Sequence, residues 1–222
     1  MTGSLVREAR QSQALTQQAA AQAWGMSQTY LSLIEAGKRP VPEPLLRRLA
    51  QVSPAALSAL PKSDVRPDRV EPALGQLGFP GFVHLAARGR LTNPATVVLR
   101  AVTLDSVPAR VVEALPWVLG RFVDMDWSWL VDQVKLANCQ NRLGYLVCLT
   151  RRLAVRSANV DVSSRLEAVE RQLSDARLLK VDAFRRDLTD AERRFFLENR
   201  PDEAAYWNLL TLLRVENLRY VG

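Results

Sequence analysis

The sequence of residues 16–39 is TQQAAAQAWGMSQTYLSLIEAGKR, and this stretch decides the fold of the N-terminal part of the chain. Its pattern predicts two short helices, at residues 17–24 and 28–36. Gly25 lies between them and can adopt the positive φ that a sharp helix exit requires. Ser27 is suited to cap the second helix, because its hydroxyl oxygen can accept a hydrogen bond from a free backbone N–H. The stretch therefore predicts two helices joined by a tight turn.

The helix predicted at residues 28–36 has two different faces. Leu31 and Ile34 are three residues apart and share one face, which suits packing on a core. A second face presents short, uncharged side chains at a spacing of four residues, namely Gln28 with Ser32 and Thr29 with Leu33. Lys38 and Arg39 follow directly. Amides and hydroxyls can bond base edges in a DNA major groove while cations contact phosphates, so this face predicts a recognition helix.

These residues resemble the Cro-like phage-repressor helix-turn-helix, also called the XRE type. The positions that carry the resemblance are Gln17, Gly25, Ser27, Leu31, Ile34, Glu35, Gly37, Lys38 and Arg39, and the similar region covers residues 5–60. The resemblance implies a five-helix, lambda-repressor-like DNA-binding domain. It also implies that Arg10 on the first helix pairs with Glu35 and fixes the recognition helix on the core.

The same resemblance assigns the DNA contacts. It implies that Gln17 contacts a phosphate from the start of its helix, and that the outward face of the second helix contacts bases. Leu33 cannot form hydrogen bonds, so we expect it to contact a thymine methyl group. The predicted DNA-binding residues are Gln17, Ser27, Gln28, Thr29, Tyr30, Ser32, Leu33, Lys38 and Arg39.

The chain departs from the family pattern around the turn. Ala20 stands where the family usually has leucine, and Trp24 and Met26 flank the turn glycine. We expect the large indole of Trp24 to fill the space that Ala20 leaves.

Charge and composition agree with a nucleic-acid partner. The chain has 222 residues, with 30 Lys and Arg against 23 Asp and Glu, and a formal net charge of +7. Residues 1–60 hold six basic and three acidic residues, so the positive excess is denser there than in the rest of the chain. Hydrophobic residues make up 48% of the chain, which is enough for a folded core.

The remainder of the chain predicts a second, larger helical domain. Residues 61–72 are polar and proline-punctuated, so they are the expected linker between a domain at residues 1–60 and one at residues 73–222. Apolar residues recur at helical spacing there, without strand-like alternation. One stripe gives about two heptads of a seam for packing or dimerisation, at Val162, Leu166, Val169, Leu173 and Ala176. The predicted fold class is all-α.

Caps and prolines predict further helix limits in this domain. Ser106 is expected to cap a helix that Pro116 kinks or breaks. The polar run at residues 138–142 is expected to be a turn or a helix irregularity. Thr189 begins a capping-box pattern, and Pro201 is expected to open a last helical segment that extends as far as Leu218.

The sequence contains no recognisable motif for catalysis, a cofactor or a metal. His84 is the single histidine, and neither a phosphate-binding loop nor a nucleophile motif is present. Cys139 and Cys148 are nine residues apart, on opposite faces of a straight helix, which predicts free buried thiols. We expect no signal peptide, and the sequence has no apolar stretch of ~20 residues that could span a membrane. We therefore expect a cytoplasmic protein that is not an enzyme and binds no cofactor or metal.

Residues 126–149, and especially residues 141–146 with the sequence NRLGYL, are similar to a helical segment of abortive-infection (type IV) antitoxins. Such antitoxins join an N-terminal DNA-binding domain to a C-terminal helical domain and repress an operon that encodes a nucleotidyltransferase toxin. The resemblance implies a cognate toxin as a protein partner. However, these antitoxins usually carry a winged helix where this chain has the phage-repressor motif.

Two functions follow from these patterns. The first is a sequence-specific transcription regulator, expected to be an autoregulatory repressor that binds double-stranded operator DNA at an inverted repeat as a homodimer. The second is an antitoxin that neutralises a toxin through its C-terminal helical domain and represses its own operon. An enzyme with an attached DNA-binding module is least favoured, because no catalytic set is recognisable.

Overall fold

The computed structural model of the chain describes residues 3–52, 54–86 and 91–218, and helices dominate it. The predicted start of the first domain, at residue 1, and the predicted end of the second, at residue 222, lie outside this part. The first helices are α1 (Gly3–Ser12), α2 (Gln17–Ala23), α3 (Gln28–Glu35), α4 (Glu43–Val52) and α5 (Pro54–Ser58). They are followed by α6 (Val70–Gln76), α7 (Pro94–Thr103), α8 (Ala109–Arg121), α9 (Trp127–Leu136), α10 (Gln140–Arg156), α11 (Val160–Asp175), α12 (Asp190–Asn199) and α13 (Asp202–Tyr206).

Short 3₁₀ helices and one strand pair complete the described part. The 3₁₀ helices are Pro67–Arg69, Pro80–Leu85 and Val215–Asn217. The strands β1 (Asp182–Ala183) and β2 (Leu209–Leu210) pair in parallel. The prediction of an all-α fold is confirmed, since two-residue strands add little to it.

Local caps set the limits of α2 and α3. The hydroxyl of Ser27 accepts a hydrogen bond from the backbone N–H of Tyr30, and that of Thr16 accepts one from Ala19. Gly25 has a φ of 69° and forms the turn between the helices. The positive φ predicted at Gly25 is confirmed.

Buried side chains form two main clusters. The smaller cluster lies among α1 to α5 and consists of Val6, Ala9, Ala20, Ala21, Leu31, Ile34, Leu45, Leu49 and Ala56. Trp24 packs against it, as expected for an indole that supplements the small Ala20. The larger cluster draws its residues from Leu57 in α5 to Leu218.

The segment predicted as a linker is partly packed. Val65 and Val70 are buried in the larger cluster, and so is Leu60. Asn93, the N-cap of α7, donates hydrogen bonds from its amide to the carbonyl oxygens of Ser58 and Leu60, at 2.9 and 2.7 Å. The end of α5 is therefore held by α7, and the domain limits drawn from the sequence stay a prediction.

Helix α10 packs most extensively on α11. The seam residues predicted on α11 are buried at Val162, Leu166, Val169 and Leu173. Their side chains belong to the larger cluster of the same chain. This seam therefore serves internal packing.

The prediction of a turn or a helix irregularity at residues 138–142 is wrong for residues 140–142, because α10 begins at Gln140. The amide of Gln140 donates to the carbonyl oxygen of Ala176 at 3.0 Å. Asn141 donates to the carbonyl oxygen of Leu178 and accepts from its N–H, both at 2.9 Å. These polar side chains are buried in a regular helix because the segment after α11 supplies their partners.

One prediction made for α8 is wrong, and the other is wrong in part. Ser106 does not cap the helix, which begins at Ala109 after Pro108. Ser106 instead forms an antiparallel bridge with Arg185. Pro116 lies inside α8 and does not break it, because the helix is buried on both sides of the proline and this packing outweighs one missing backbone hydrogen bond. A kink at Pro116 stays a prediction.

The helical segment predicted after Pro201 is shorter than expected. Helix α13 ends at Tyr206, and Asn208 has a φ of 50°, a left-handed conformation that does not continue a helix. The chain then forms β2 beside β1. The capping box of Thr189 and Glu192 at the start of α12 is confirmed.

Candidate nucleic-acid interface

Helix α3 separates a buried face from an exposed one. Leu31 and Ile34 are fully buried in the smaller cluster, as their spacing predicts. Among the residues predicted to contact DNA from this helix, side chains are exposed at Gln28, Thr29 and Ser32 and half-buried at Tyr30 and Leu33. The exposed face carries amide and hydroxyl groups, which are the groups that can bond base edges.

Glu35 fixes the end of α3 to α1. Its carboxylate is buried, with Oε1 2.7 Å from the Nε of Arg10 and Oε2 3.2 Å from the Nη2. The Nη1 of Arg10 donates to the carbonyl oxygen of Leu15 at 2.8 Å. Arg10 therefore joins α1, the loop before α2 and the last turn of α3, and it makes the pair that the family resemblance implies.

The side chains of two predicted DNA-binding residues form hydrogen bonds with other groups of the protein. The amide of Gln17 donates to Oε2 of Glu35 at 2.9 Å, which directs it away from the exposed face of α3. The hydroxyl of Ser27 accepts from the N–H of Tyr30 at 3.2 Å. The side chain of Gln17 therefore lies beside Glu35 and is not part of the exposed face of α3 that carries Gln28. The phosphate contact of Gln17 stays a prediction.

The electrostatics of this network keep Glu35 ionised. Burial alone would raise the pKa of its carboxyl, but hydrogen bonds from Arg10 and Gln17 and the charges of Arg10 and Arg7 outweigh burial and hold this pKa below its ordinary value. The pKa of Arg10 is raised, first by its hydrogen bond to Glu35. A buried carboxylate is stable here because each oxygen has a charged or polar donor.

Gly3 allows the start of α1 to lie directly on the end of α3. A Cβ at this position would lie 2.0 Å from the carbonyl oxygen of Ile34 and 2.6 Å from that of Glu35. Any other residue would push α1 away from α3. This contact was not predicted, because a glycine at the first turn of a helix carries no signal of what lies against it.

The basic loop is held against the end of α3 by its backbone. The N–H groups of Lys38 and Arg39 donate to the carbonyl oxygen of Leu33 at 2.9 and 3.2 Å. Both side chains are exposed, and neither forms an ion pair with a described residue. Their cations are therefore available beside the exposed face of α3, where phosphates would lie.

Two further arginines lie around the helix pair and were not predicted. Arg48 on α4 donates to the carbonyl oxygen of Ala23 at the end of α2. Arg7 is 53% exposed and lies 3.6 Å from Oε2 of Glu35. Both are basic residues within residues 1–60, which the local excess of positive charge indicates only as a group.

Residues 141–146, within the segment that resembles an antitoxin, are buried and contact other parts of the same chain. A Cβ on Gly144 would lie 2.2 Å from a ring atom of Trp207, so the indole lies directly on the glycine. The hydroxyl of Tyr145 donates to the carbonyl oxygen of Leu213. These contacts give residues 141–146 a packing role in the larger cluster.

The described part of the chain offers no candidate metal site, because no group of three or more His, Cys, Asp or Glu residues there could hold a metal ion. Cys139 and Cys148 are free and buried, as predicted. Burial raises the pKa of both thiols, and that of Cys148 reaches about 12, so neither is an activated nucleophile. Within the same residues, no helix has the length and apolarity needed to cross a membrane.

A family model described as a helix-turn-helix domain matches residues 3–57, about a quarter of the chain. The match covers α1 to α4 and most of α5, including the exposed face of α3. The chain therefore carries a helix-turn-helix domain, which supports a DNA-binding regulator rather than an enzyme. No curated protein matches the chain, and no solved structure matches it.

Proposed function

We propose that this chain, whose N-terminal part is a helix-turn-helix domain, is a sequence-specific transcription regulator of the XRE type. It acts in the cytoplasm and inserts α3 into the DNA major groove. The observation that carries the proposal is the exposed face of α3, where Gln28, Thr29 and Ser32 present hydrogen-bonding groups while Glu35 anchors the opposite side. A fixed helix with free amides and hydroxyls suits direct readout of bases.

The proposed regulator binds as a homodimer to an inverted repeat. The eight residues of α3 span about 12 Å at 1.5 Å per residue, a small part of one ~34 Å turn of DNA. One such helix contacts only a few base pairs, so two copies one turn apart supply the specificity that one lacks. We further propose that the operator lies upstream of the protein's own gene and that binding there represses it.

An antitoxin is the alternative function. It would require an exposed surface on the helical part for a toxin. Residues 141–146, which are the central part of the segment that resembles type IV antitoxins, are buried against Trp207 and Leu213 and do not offer such a surface. The antitoxin role and a toxin partner stay predictions, and growth arrest on expression of a neighbouring gene without this chain would support them.

Selection from random duplexes tests the regulator. The wild-type protein should enrich an inverted repeat, and the double variant Gln28→Ala, Thr29→Ala should lose its preference for that repeat while keeping the circular dichroism spectrum and Tm of the wild type. Each lost bidentate contact is worth about 1–3 kcal/mol of discrimination.

The matched control removes an amide and a hydroxyl elsewhere. Gln172 and Ser164 are exposed on α11, so the double variant Gln172→Ala, Ser164→Ala should keep full preference for the repeat. Retained specificity in the α3 variant would overturn the assignment of the reading face. If wild-type protein enriches no sequence, the regulator itself is wrong.

A further inference from the structure

A cavity of about 410 Å³ lies between the start of α8, the segment around β1, α12 and the segment after β2. Its walls are mainly apolar and include Val112, Phe184, Leu188, Phe196 and Leu210. This volume falls within the range of small-molecule sites, which are commonly apolar with a few polar groups. The cavity is remote in sequence from α3 and plays no part in the proposed DNA contacts.

The charge on the cavity wall is unbalanced. Of the described residues that line it, Glu113 and Arg185 are ionic. Arg185 is already paired with Asp187 at 3.2 Å and with Glu192 at 3.8 Å. Glu113 is exposed and forms no ion pair within the part of the chain that the structure describes. Among the residues that line the cavity, the unpaired charge is therefore negative.

One wall of the cavity is loosely held. Helix α12 has no buried residue. It contributes Phe196, which packs against a small cluster of Ala183, Leu188 and Leu210 that is separate from the larger cluster. A ligand in the cavity would add apolar contacts to a wall that has few of its own, and would reduce local opening of this helix.

We propose that this cavity binds a small amphipathic cation, with an apolar or aromatic body against Phe184 and Phe196 and a protonated amine beside Glu113. The apolar walls supply most of the binding free energy and the carboxylate selects the sign of charge. The site gives the regulator a binding function that is separate from its DNA contacts.

Three naphthalene compounds with the same body test the proposal by isothermal titration calorimetry: 1-naphthylmethylamine (cation), 1-naphthylmethanol (neutral) and 1-naphthoic acid (anion). The amine should bind one site per chain about three- to fivefold more tightly than the alcohol, the upper part of the range for a solvent-exposed ion pair, and the acid more weakly than either. Glu113→Gln should bring the amine to the affinity of the alcohol and leave the alcohol unchanged.

Filling the cavity supplies the second arm. Ala109 is exposed and lines the cavity from the first turn of α8, so Ala109→Trp should weaken the amine and the alcohol at least tenfold without lowering Tm. Ala137 is an exposed alanine at the end of α9, and Ala137→Trp should change nothing. The amine should also slow amide hydrogen exchange in α12.

Three results would overturn the proposal. They are no binding of the amine or the alcohol at millimolar concentration, equal affinities in wild type and Ala109→Trp, and a preference for the amine that survives Glu113→Gln.

Discussion

The Nε of Arg10 lies 2.7 Å from Oε1 of Glu35, and the side chain of Glu35 is fully enclosed. The contact joins the first helix of the chain to the last turn of α3. Because α3 carries the exposed amide and hydroxyl groups, this one ion pair sets how those groups stand relative to the rest of the domain.

Arg10→Ala should lower the free energy of unfolding by about 3–5 kcal/mol, because it leaves a buried carboxylate without its charged partner. Arg7 supplies the control. Its side chain is 53% exposed and 3.6 Å from the same carboxylate, so Arg7→Ala should cost less than about 1 kcal/mol. Urea unfolding followed by circular dichroism measures both. Equal losses in the two variants would contradict the role assigned to Arg10.

The same network predicts a dependence on pH. The folded-state pKa of Glu35 is held below its ordinary value of about 4.3, so the ionised carboxylate stabilises the fold. This contribution is fully present above pH ~4.3 and is lost as the pH falls through the folded-state pKa. The free energies of unfolding of wild type and Glu35→Gln should therefore differ by a constant amount from pH 7 to about 5 and converge below that. A difference that is constant down to pH 3 would contradict the assignment.

The sequence predicts those features of this site that depend on neighbouring residues, and it does not predict those that depend on contacts between distant helices. Ser27 and Gly25 act on their immediate neighbours, so the limits of α2 and α3 follow from them. The sequence around Gln17 does not indicate that its amide donates to Glu35. The sequence around Gly3 does not indicate that α1 packs on the end of α3. Both depend on how distant helices pack, which no local spacing contains.

The same distinction explains the errors in the larger part of the chain. The capping box at Thr189 is local and was predictable. The polar residues at the start of α10 look unsuitable for a buried helix until their partners are known, and those partners lie some 36–40 residues away, as for Gln140 with Ala176 and Arg142 with Asp182. Asn208 ends a helical segment by its left-handed conformation, which its sequence neighbours do not specify.

Gly144→Ala should destabilise the protein by about 1–3 kcal/mol, because the added methyl group would meet the indole of the fully buried Trp207 at 2.2 Å. Gly120, also within a helix, is the control. A Cβ there meets only Thr150 Cγ2 at 3.5 Å, so Gly120→Ala should be neutral or stabilise by up to about 1 kcal/mol. Thermal unfolding separates the two variants, and equal Tm values would show that the close packing at Gly144 is wrong.

Arg142 is expected to resist replacement by lysine. Its guanidinium donates to both carboxylate oxygens of Asp182 at 2.8 and 2.9 Å, and to the carbonyl oxygens of Val102 and Leu104 at 2.9 and 2.8 Å. An ammonium group cannot reach all four acceptors, so Arg142→Lys should cost at least ~2 kcal/mol. Arg165→Lys, at an exposed position on α11, should leave the midpoint of urea unfolding close to that of the wild type. Similar stabilities in urea would contradict a dependence on guanidinium geometry.

Lys38 and Arg39 should act on DNA affinity through charge alone, which makes their effect separable from that of the reading face. Each cation that neutralises one phosphate contributes about 0.9 to the slope of log K against log salt concentration. Because the proposed dimer carries two copies of each cation, Lys38→Ala or Arg39→Ala should reduce that slope by about 1.8 and weaken operator and unrelated DNA by the same factor. Fluorescence anisotropy titrations at several salt concentrations measure both quantities.

Two controls complete this salt experiment. Arg171 is 72% exposed on α11 and paired with Glu167, so Arg171→Ala should leave the slope unchanged. Gln28→Ala carries no change in charge and should keep the wild-type slope while its preference for the operator falls. If Lys38→Ala instead loses its preference for the operator while the slope stays unchanged, Lys38 contacts a base edge. The basic loop would then take part in base recognition, which contradicts its assignment to phosphate contacts.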